Sequence, residues 1–537
     1  MKRNIFRTCV LGLGLLTLAS CDDPMDEITS ITYKRVFAPV DLKAGGLTQT
    51  SANLEWMASE GVGEYSIEVF ADDSLEFEGT ADMTFTSTTN SYTVTGLEFD
   101  TQYSARVQAK DLENPERNSK WSKVTFRTNA PQNFNDLDDD LITDKTVTVS
   151  WFMDDVVPEV ATITVTNRAT GEVEVTHELT DTEKAALTAT IEGLTPETEY
   201  EINLYNSNGK ECGSKVFTTI VDLSTATDIL YEGDDLEATI DAAQADAIIV
   251  LYPGTYVIGL DKAAPGNAII NKNITIKGAR PTDRPVINGQ FQLNDGASLT
   301  ISQVILDGTN TKDQTFNYKT ADMTFNLLSV ENCEIKNYTK GLVYGNVACT
   351  VNEITFNRCV IHDIVCSGGD FFDFRTGRFN TANFTNSTLY NVASEGKRDF
   401  IRYDGNADAT MGGGHSVINV RNCTLDNVSA NGKRLLYVRY YDHEINWGNN
   451  LVTNTDAWFS DQSKTAVPTF VGNVYFGTDN LLPENVVTDP SVKGNRFSDD
   501  AGTWNLDPSY AEPGQGDFTV GNEDVIALGV GDPRWLE

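Results

Sequence analysis

Three segments of this 537-residue chain place arginine where it could meet a ligand's negative charge. GGDFFDFRTGR (368–378), GKRDFIRYDG (396–405) and GKRLLYVRYYD (432–442) each hold a short apolar strand with an arginine, and Arg375, Arg402 and Arg439 fall in line. Side chains alternate in and out along a strand. With Phe374, Ile401 and Val438 turned into a core, the three arginines face outward, together with Asp373, Phe400 and Tyr437 two residues earlier. Phe371, Arg398 and Leu435 precede these, and Asp404 and Tyr441 follow. A guanidinium is a planar fork matched to carboxylate, and an aromatic ring offers a broad apolar surface to a sugar. Neighbouring strands lie about 4.8 Å apart, close to one pyranose unit. The pattern points to an acidic polysaccharide bound by Arg375, Arg402, Arg439, Phe400, Tyr437, Tyr441 and Arg398. The alternative is a solvated face whose arginines pair with Asp373 and Asp404, an arrangement that contributes little.

Charge sharpens the contrast. The chain carries a formal net charge of -38, yet residues 371–440 hold nine basic and six acidic residues. A local reversal within an acidic molecule focuses an anionic ligand. The overall balance excludes nucleic acid as the main partner, which needs a basic footprint. His362, His415 and His443 form neither a triad nor a metal spacing, and His443 lies nearest the basic face. No cofactor is expected.

A repeat supplies the scaffold. VENCEIKN (330–337), FNRCVIHD (356–363), FTNSTLYN (384–391), VRNCTLDN (420–427) and WGNNLVTN (447–454) align. Cys333, Cys359, Ser387, Cys423 and Asn450 share one position; Ile335, Ile361, Leu389, Leu425 and Val452 a second; Asn337, Asp363, Asn391, Asn427 and Asn454 a third. The spacings of 26, 28, 36 and 27 residues suit one turn of a solenoid, with 404–415 looped out. Small residues in register read as an inward ladder, so these thiols are core filler. The Asn/Asp column reads as a turn, where asparagine tolerates left-handed geometry and its amide can reach the next turn. The six cysteines beyond Cys21 show no CxxC pair and no zinc spacing.

Two further patterns precede the repeat. Residues 35–129 carry short alternating strands with Trp56 early and Leu97 and Tyr103 late; residues 130–219 repeat this with Trp151, Leu194, Pro196 and Tyr200. Both resemble fibronectin type III sandwiches with a tyrosine corner. From Thr225 onward, DDLEATIDAAQ places Leu236, Ile240 and Ala243 at helical spacing, and AIIVLYPGTYVI follows. A short helix before IVLYPGTY resembles the cap of pectate-lyase-like β-helices, where it covers the open end of the stack. The fold class expected is therefore all-β: two β-sandwiches, then a right-handed parallel β-helix over 225–537 with a short N-terminal capping helix.

Residues 1–21 read as a targeting segment. Lys2, Arg3 and Arg7 precede an apolar run, Val10 to Leu18, too short to span a bilayer. Leu18-Ala19-Ser20-Cys21 resembles a bacterial lipobox, which implies lipidation at Cys21. Asp22 and Asp23 resemble the surface-export signal of Bacteroidota lipoproteins, and GVGDPRW near the end resembles the tail of an uncharacterised β-helix group among them. The resemblance implies an outer-membrane lipoprotein facing the cell exterior, feeding polysaccharide to an uptake complex.

Three functions follow as expectations: a surface protein binding a uronate-containing, pectin-like polysaccharide; a lyase cleaving the same glycan by β-elimination; or a structural, adhesin-like protein. FIRYDGN loosely resembles the arginine-bearing strand of the chondroitinase-B and alginate-lyase family. That likeness implies Lys397 or Lys433 as base beside Arg402 or Arg439, with calcium as an added cation. The acidic calcium cluster of that family is missing from the preceding turn.

Overall fold

The computed structural model describes residues 34–59, 61–259, 264–411, 413–430 and 432–536. The leader 1–21 and Cys21 lie outside the described residues.

Alternating burial builds the first sandwich. Ser51–Met57 presents Ala52, Leu54 and Trp56 inward, and Glu64–Ala71 presents Tyr65, Ile67 and Val69. A three-stranded sheet packs with a four-stranded one of order Met83–Ser87, Glu64–Ala71, Gln102–Lys110, Ser122–Arg127. The Tyr103 hydroxyl accepts from the Glu98 amide at 2.9 Å. The second sandwich repeats the device, with Trp151 buried and the Tyr200 hydroxyl accepting from the Thr195 amide at 3.0 Å. Tyr103→Phe strands a partly buried N–H and is expected to cost about 1 kcal/mol, seen as a lower urea midpoint of that sandwich.

The remainder is a parallel β-solenoid. Two ten-stranded sheets and one seven-stranded sheet run along it, every neighbouring pair parallel. The third sheet runs from Asn267–Ile270 to Leu436–Val438. Helix Leu236–Ala242 is capped by the Asp235 side chain and buries Leu236 and Ile240 against the first turn.

The repeat register holds strand by strand. Ile335 pairs with Ile361, Ile361 with Leu389, Leu389 with Leu425, and Leu425 with Val452. Cys333, Cys359, Ser387, Cys423 and Asn450 are all fully buried. Each hydrogen-bonding member serves the turn before it: Ser387 Oγ accepts from the Cys359 amide, and Asn450 Oδ1 from the Cys423 amide. Burial pushes the thiols of Cys333 and Cys423 up to about 12, which leaves them inert. Asn337, Asp363, Asn391, Asn427 and Asn454 all adopt φ between 51° and 64°. Amide-to-side-chain bonds link Asn391 to Asp363 and Asn427 to Asn391.

Beyond residue 460, where the repeat fades, the chain turns back. A hairpin of Tyr510–Glu512 and Asp517–Val520 and the helix Glu523–Leu528 pack Val520, Val525 and Val530 on Leu451 and Val474 of the second sheet. Asp532 accepts from Thr388 Oγ1 at 2.8 Å, and its amide donates to Thr424 Oγ1 at 3.0 Å. Trp535 Nε1 also donates to Thr388 Oγ1.

Candidate functional site

Strands Phe372–Phe374, Ile401–Tyr403 and Leu436–Val438 close the third sheet and bring the sequence-selected arginines to its outer face. Their register differs from the arginine-on-arginine alignment. Asp373 pairs with Arg402, and Arg402 with Tyr437. Arg375, Asp404 and Arg439 each follow their strand's central residue by two. The three arginines therefore do not form one column. Aligned arginines would place like charges opposite each other across neighbouring strands, which is destabilising; the two-residue stagger sets opposite charges there instead.

The result is an ionic lattice. Arg375 engages Asp373 through Nε at 3.0 Å and Nη2 at 2.7 Å. Arg402 reaches Asp370 through Nη1 at 3.1 Å and Asp404 through Nη2 at 2.6 Å. Arg439 Nη2 meets the other oxygen of Asp404 at 2.5 Å. Arg434 lies between Asp399, at 3.4 Å, and Asp461, at 3.2 Å. Asp370 is tied to the next turn by the Asp399 amide at 3.1 Å. Five carboxylates thus face four guanidinium groups, and the surface that looked basic in sequence is neutralised from within.

Burial makes this more than a surface pairing. The Asp373 side chain has no exposed surface, whereas Arg375, Arg402 and Arg439 are 30%, 22% and 33% exposed. Desolvation pushes the Asp373 carboxyl above its ordinary range despite Arg375, and pushes Asp399 up to about 6 against the pull of Arg434. Burial also opposes ionisation of Asp404, but Arg402 and Arg439 outweigh it and hold that carboxyl low. Tyr437 lies among three cations, with Arg434, Arg439 and Arg402 at 4.2, 4.7 and 5.5 Å from its ring centre. Arg375 lies 5.6 Å from the ring of Tyr344. Nη1 of Arg375 and of Arg439 has no protein partner among the described residues.

Phe400 departs from its expected place. It is fully buried and stacks on Phe371 at 5.2 Å. Alternation fails at the corner before each strand, where two successive residues turn inward: Phe371 and Phe372, Phe400 and Ile401, Leu435 and Leu436. Tyr441 is 59% exposed beside Tyr440. Arg398 is half-buried, and its carbonyl accepts from Ser429 Oγ. Lys397 is exposed in a turn at φ 50°, and Lys433 lies in another; neither joins the lattice. His443 serves structure: its Nε2 accepts from the Ala466 amide, so Nδ1 carries the hydrogen donated to the Tyr440 carbonyl. Among the described residues no group of three or more His, Cys, Asp or Glu is placed to hold a metal ion.

Asp370, Asp399, Arg434 and Asp461 escaped the sequence reading. The first three lie in the corners before the strands, where no alternation marks them, and Asp461 comes from the irregular chain beyond the last aligned turn.

Comparison with known proteins agrees with this architecture. A fibronectin type III model matches residues 37–125. Two domains of unknown function match the solenoid, DUF4957 over 254–392 and DUF5123 over 418–535. No curated protein matches the chain. Among solved structures, a two-domain fibronectin type III segment of chicken tenascin is 18% identical, covering 34% of this chain and 99% of that one, with a TM-score of 0.23. The FN5 domain of Drosophila Lar is 25% identical over 18% of this chain and 98% of its own, with a TM-score of 0.15. The chain thus carries a fibronectin type III domain at residues 37–125, a second β-sandwich after it, and then a parallel β-solenoid.

Proposed function

We propose that this protein captures polysaccharide at the cell surface, held there by a lipid on Cys21, and that a uronate-containing polymer is its ligand. The observation that carries the reading is the pre-set lattice of donors and acceptors on the third sheet. Sugar hydroxyls can donate to its carboxylates and accept from its guanidinium groups. The free Nη1 atoms of Arg375 and Arg439 are the points at which a ligand carboxylate would bind. Held by mutual pairing, these groups lose little further freedom on binding. The sandwiches would act as spacers and an uptake complex as the recipient.

Affinity electrophoresis of the full chain through polygalacturonate, alginate, chondroitin sulfate and a neutral glucan tests this. Retardation by an acidic polymer is expected. Tyr437→Ala should weaken it roughly tenfold, since the ring orders three arginines and each cation–π contact contributes about 0.5–1 kcal/mol. An unchanged mobility shift in that variant, or no retardation of the parent, would sink the proposal. New ultraviolet absorbance from unsaturated ends would favour the lyase reading, with Lys397 or Lys433 as base and calcium added.

A further inference from the structure

The solenoid carries a second arginine cluster, at the corner between its first and second sheets. A cleft of about 750 Å³ opens there, walled by Arg284, Asn332, Arg358 and Asn386 and by Asp532 and Arg534 of the returning tail. Its volume lies in the range of small-molecule sites. Arg534 is committed to structure: Nε pairs with Asp532 at 3.0 Å, and Nη2 donates to the Arg358 carbonyl at 2.6 Å. Asp532 in turn is buried and bonded to Thr388. The side chains of Arg284 and Arg358 have no hydrogen bond or ion pair among the described residues. In a molecule of net charge -38, two unpaired arginines share one cleft.

Arg358 also breaks a local rule. The corner position is Asn332, Arg358, Asn386, Asn422 and Asn449 in five successive turns, with φ between 50° and 55° throughout. Left-handed backbone favours asparagine over other non-glycine residues, because its short amide can bond locally. The amide also links turns: Asn422 Nδ2 donates to Asn386 Oδ1 at 3.1 Å. Among these five turns arginine alone gives up that advantage, and its side chain lines the cleft. Departures of this kind collect at functional positions.

We propose that this cleft binds the anionic group of an acidic saccharide, a carboxylate or a sulfate ester, between the guanidinium groups of Arg284 and Arg358. The Asn332 amide supplies a further polar contact to the sugar. The saccharide rests on the glycan reading above, whereas the anion site stands on its own residues. It is distinct from the third-sheet lattice, where every arginine is already paired with a carboxylate. Both arginines reach solvent, so salt should weaken the interaction.

Calorimetric titration of the full chain at low salt, with a galacturonate trisaccharide, its neutral methyl ester, a sulfated disaccharide and inorganic sulfate, tests the site. Binding of at least one acidic saccharide but not of the methyl ester is expected, with affinity falling as sodium chloride is raised. Arg358→Asn should reduce the affinity at least tenfold without lowering the Tm, because asparagine suits that backbone; Arg284→Ala should act in the same direction. Equal affinity for the methyl ester, an unaffected Arg358→Asn variant, or no acidic saccharide bound would overturn the assignment. Inorganic sulfate binding more tightly than every saccharide would also overturn it, marking a site for a free anion. The component of the titration lost in Arg358→Asn belongs to the cleft and the component weakened in Tyr437→Ala to the third sheet, so failure of the two sites is told apart.

Discussion

Asp404→Ala is expected to destabilise the solenoid by about 3–5 kcal/mol, because it removes one partner from a buried ionic group. Asp404 is nearly inaccessible and accepts from Arg402 and Arg439 on separate oxygens. Without it, Arg402 keeps Asp370, but Arg439 loses its carboxylate altogether. The loss would appear as a lower urea midpoint for the solenoid transition with the sandwich transition unmoved. A change below about 1 kcal/mol would mean that the pair behaves as an exposed surface bridge. Joint replacement of Asp404, Arg402 and Arg439 by apolar residues should cost less than Asp404→Ala alone, since the penalty lies in the orphaned charges.

Asp399 gives the second large effect, through pH. Its folded carboxyl is pushed up to about 6 from an ordinary 3.8. The folded state therefore holds this proton more tightly than the unfolded chain does, and between roughly pH 4 and pH 6 stability falls as pH rises. Below that window the group is neutral in both states and the penalty is absent; above it the penalty is complete, on the order of 3 kcal/mol. Asp399→Asn removes the titration. Relative to the parent, the variant should gain that amount between pH 4 and pH 7, read from urea unfolding at each pH. A difference between the two proteins that does not vary with pH would overturn the assignment. Glu334 works in the opposite sense: the hydrogen bond from His362, with Lys336 also near, holds its carboxyl down to about 2. Its contribution is lost only as pH falls below the ordinary glutamate range.

The sequence displayed the solenoid because its signals are periodic. Cys333, Cys359 and Cys423 recur at one inward position, Asn391 and Asn427 at one turn, and each element reports the same spacing. The tyrosine corners were legible for a similar reason, since Tyr103 and Tyr200 each follow a leucine at a fixed distance. The arginine stripe was legible as a cluster but not in register. Two chain segments of unequal length separate Arg375, Arg402 and Arg439, and cross-strand charge pairing, invisible to a match of residue types, decides which residues oppose. Phe400 was misplaced because alternation applies within a strand and not at the corner before it. The tail's return to Thr388 left no periodic trace at all, since its contacts join residues 144 positions apart.

The tail has a consequence for how such a chain can change in length. A solenoid ordinarily accepts the gain or loss of a whole turn, because each turn touches only its neighbours. Here the last residues return past several turns, with Gly531 bonding to Asn449, Asp532 to Thr424 and Thr388, and Arg534 to Arg358. Adding or deleting a turn anywhere from Arg358 to Val474 would leave this tail the wrong length for its anchors. The stack is gauged by its own end, and drift in repeat number is confined to the turns before it.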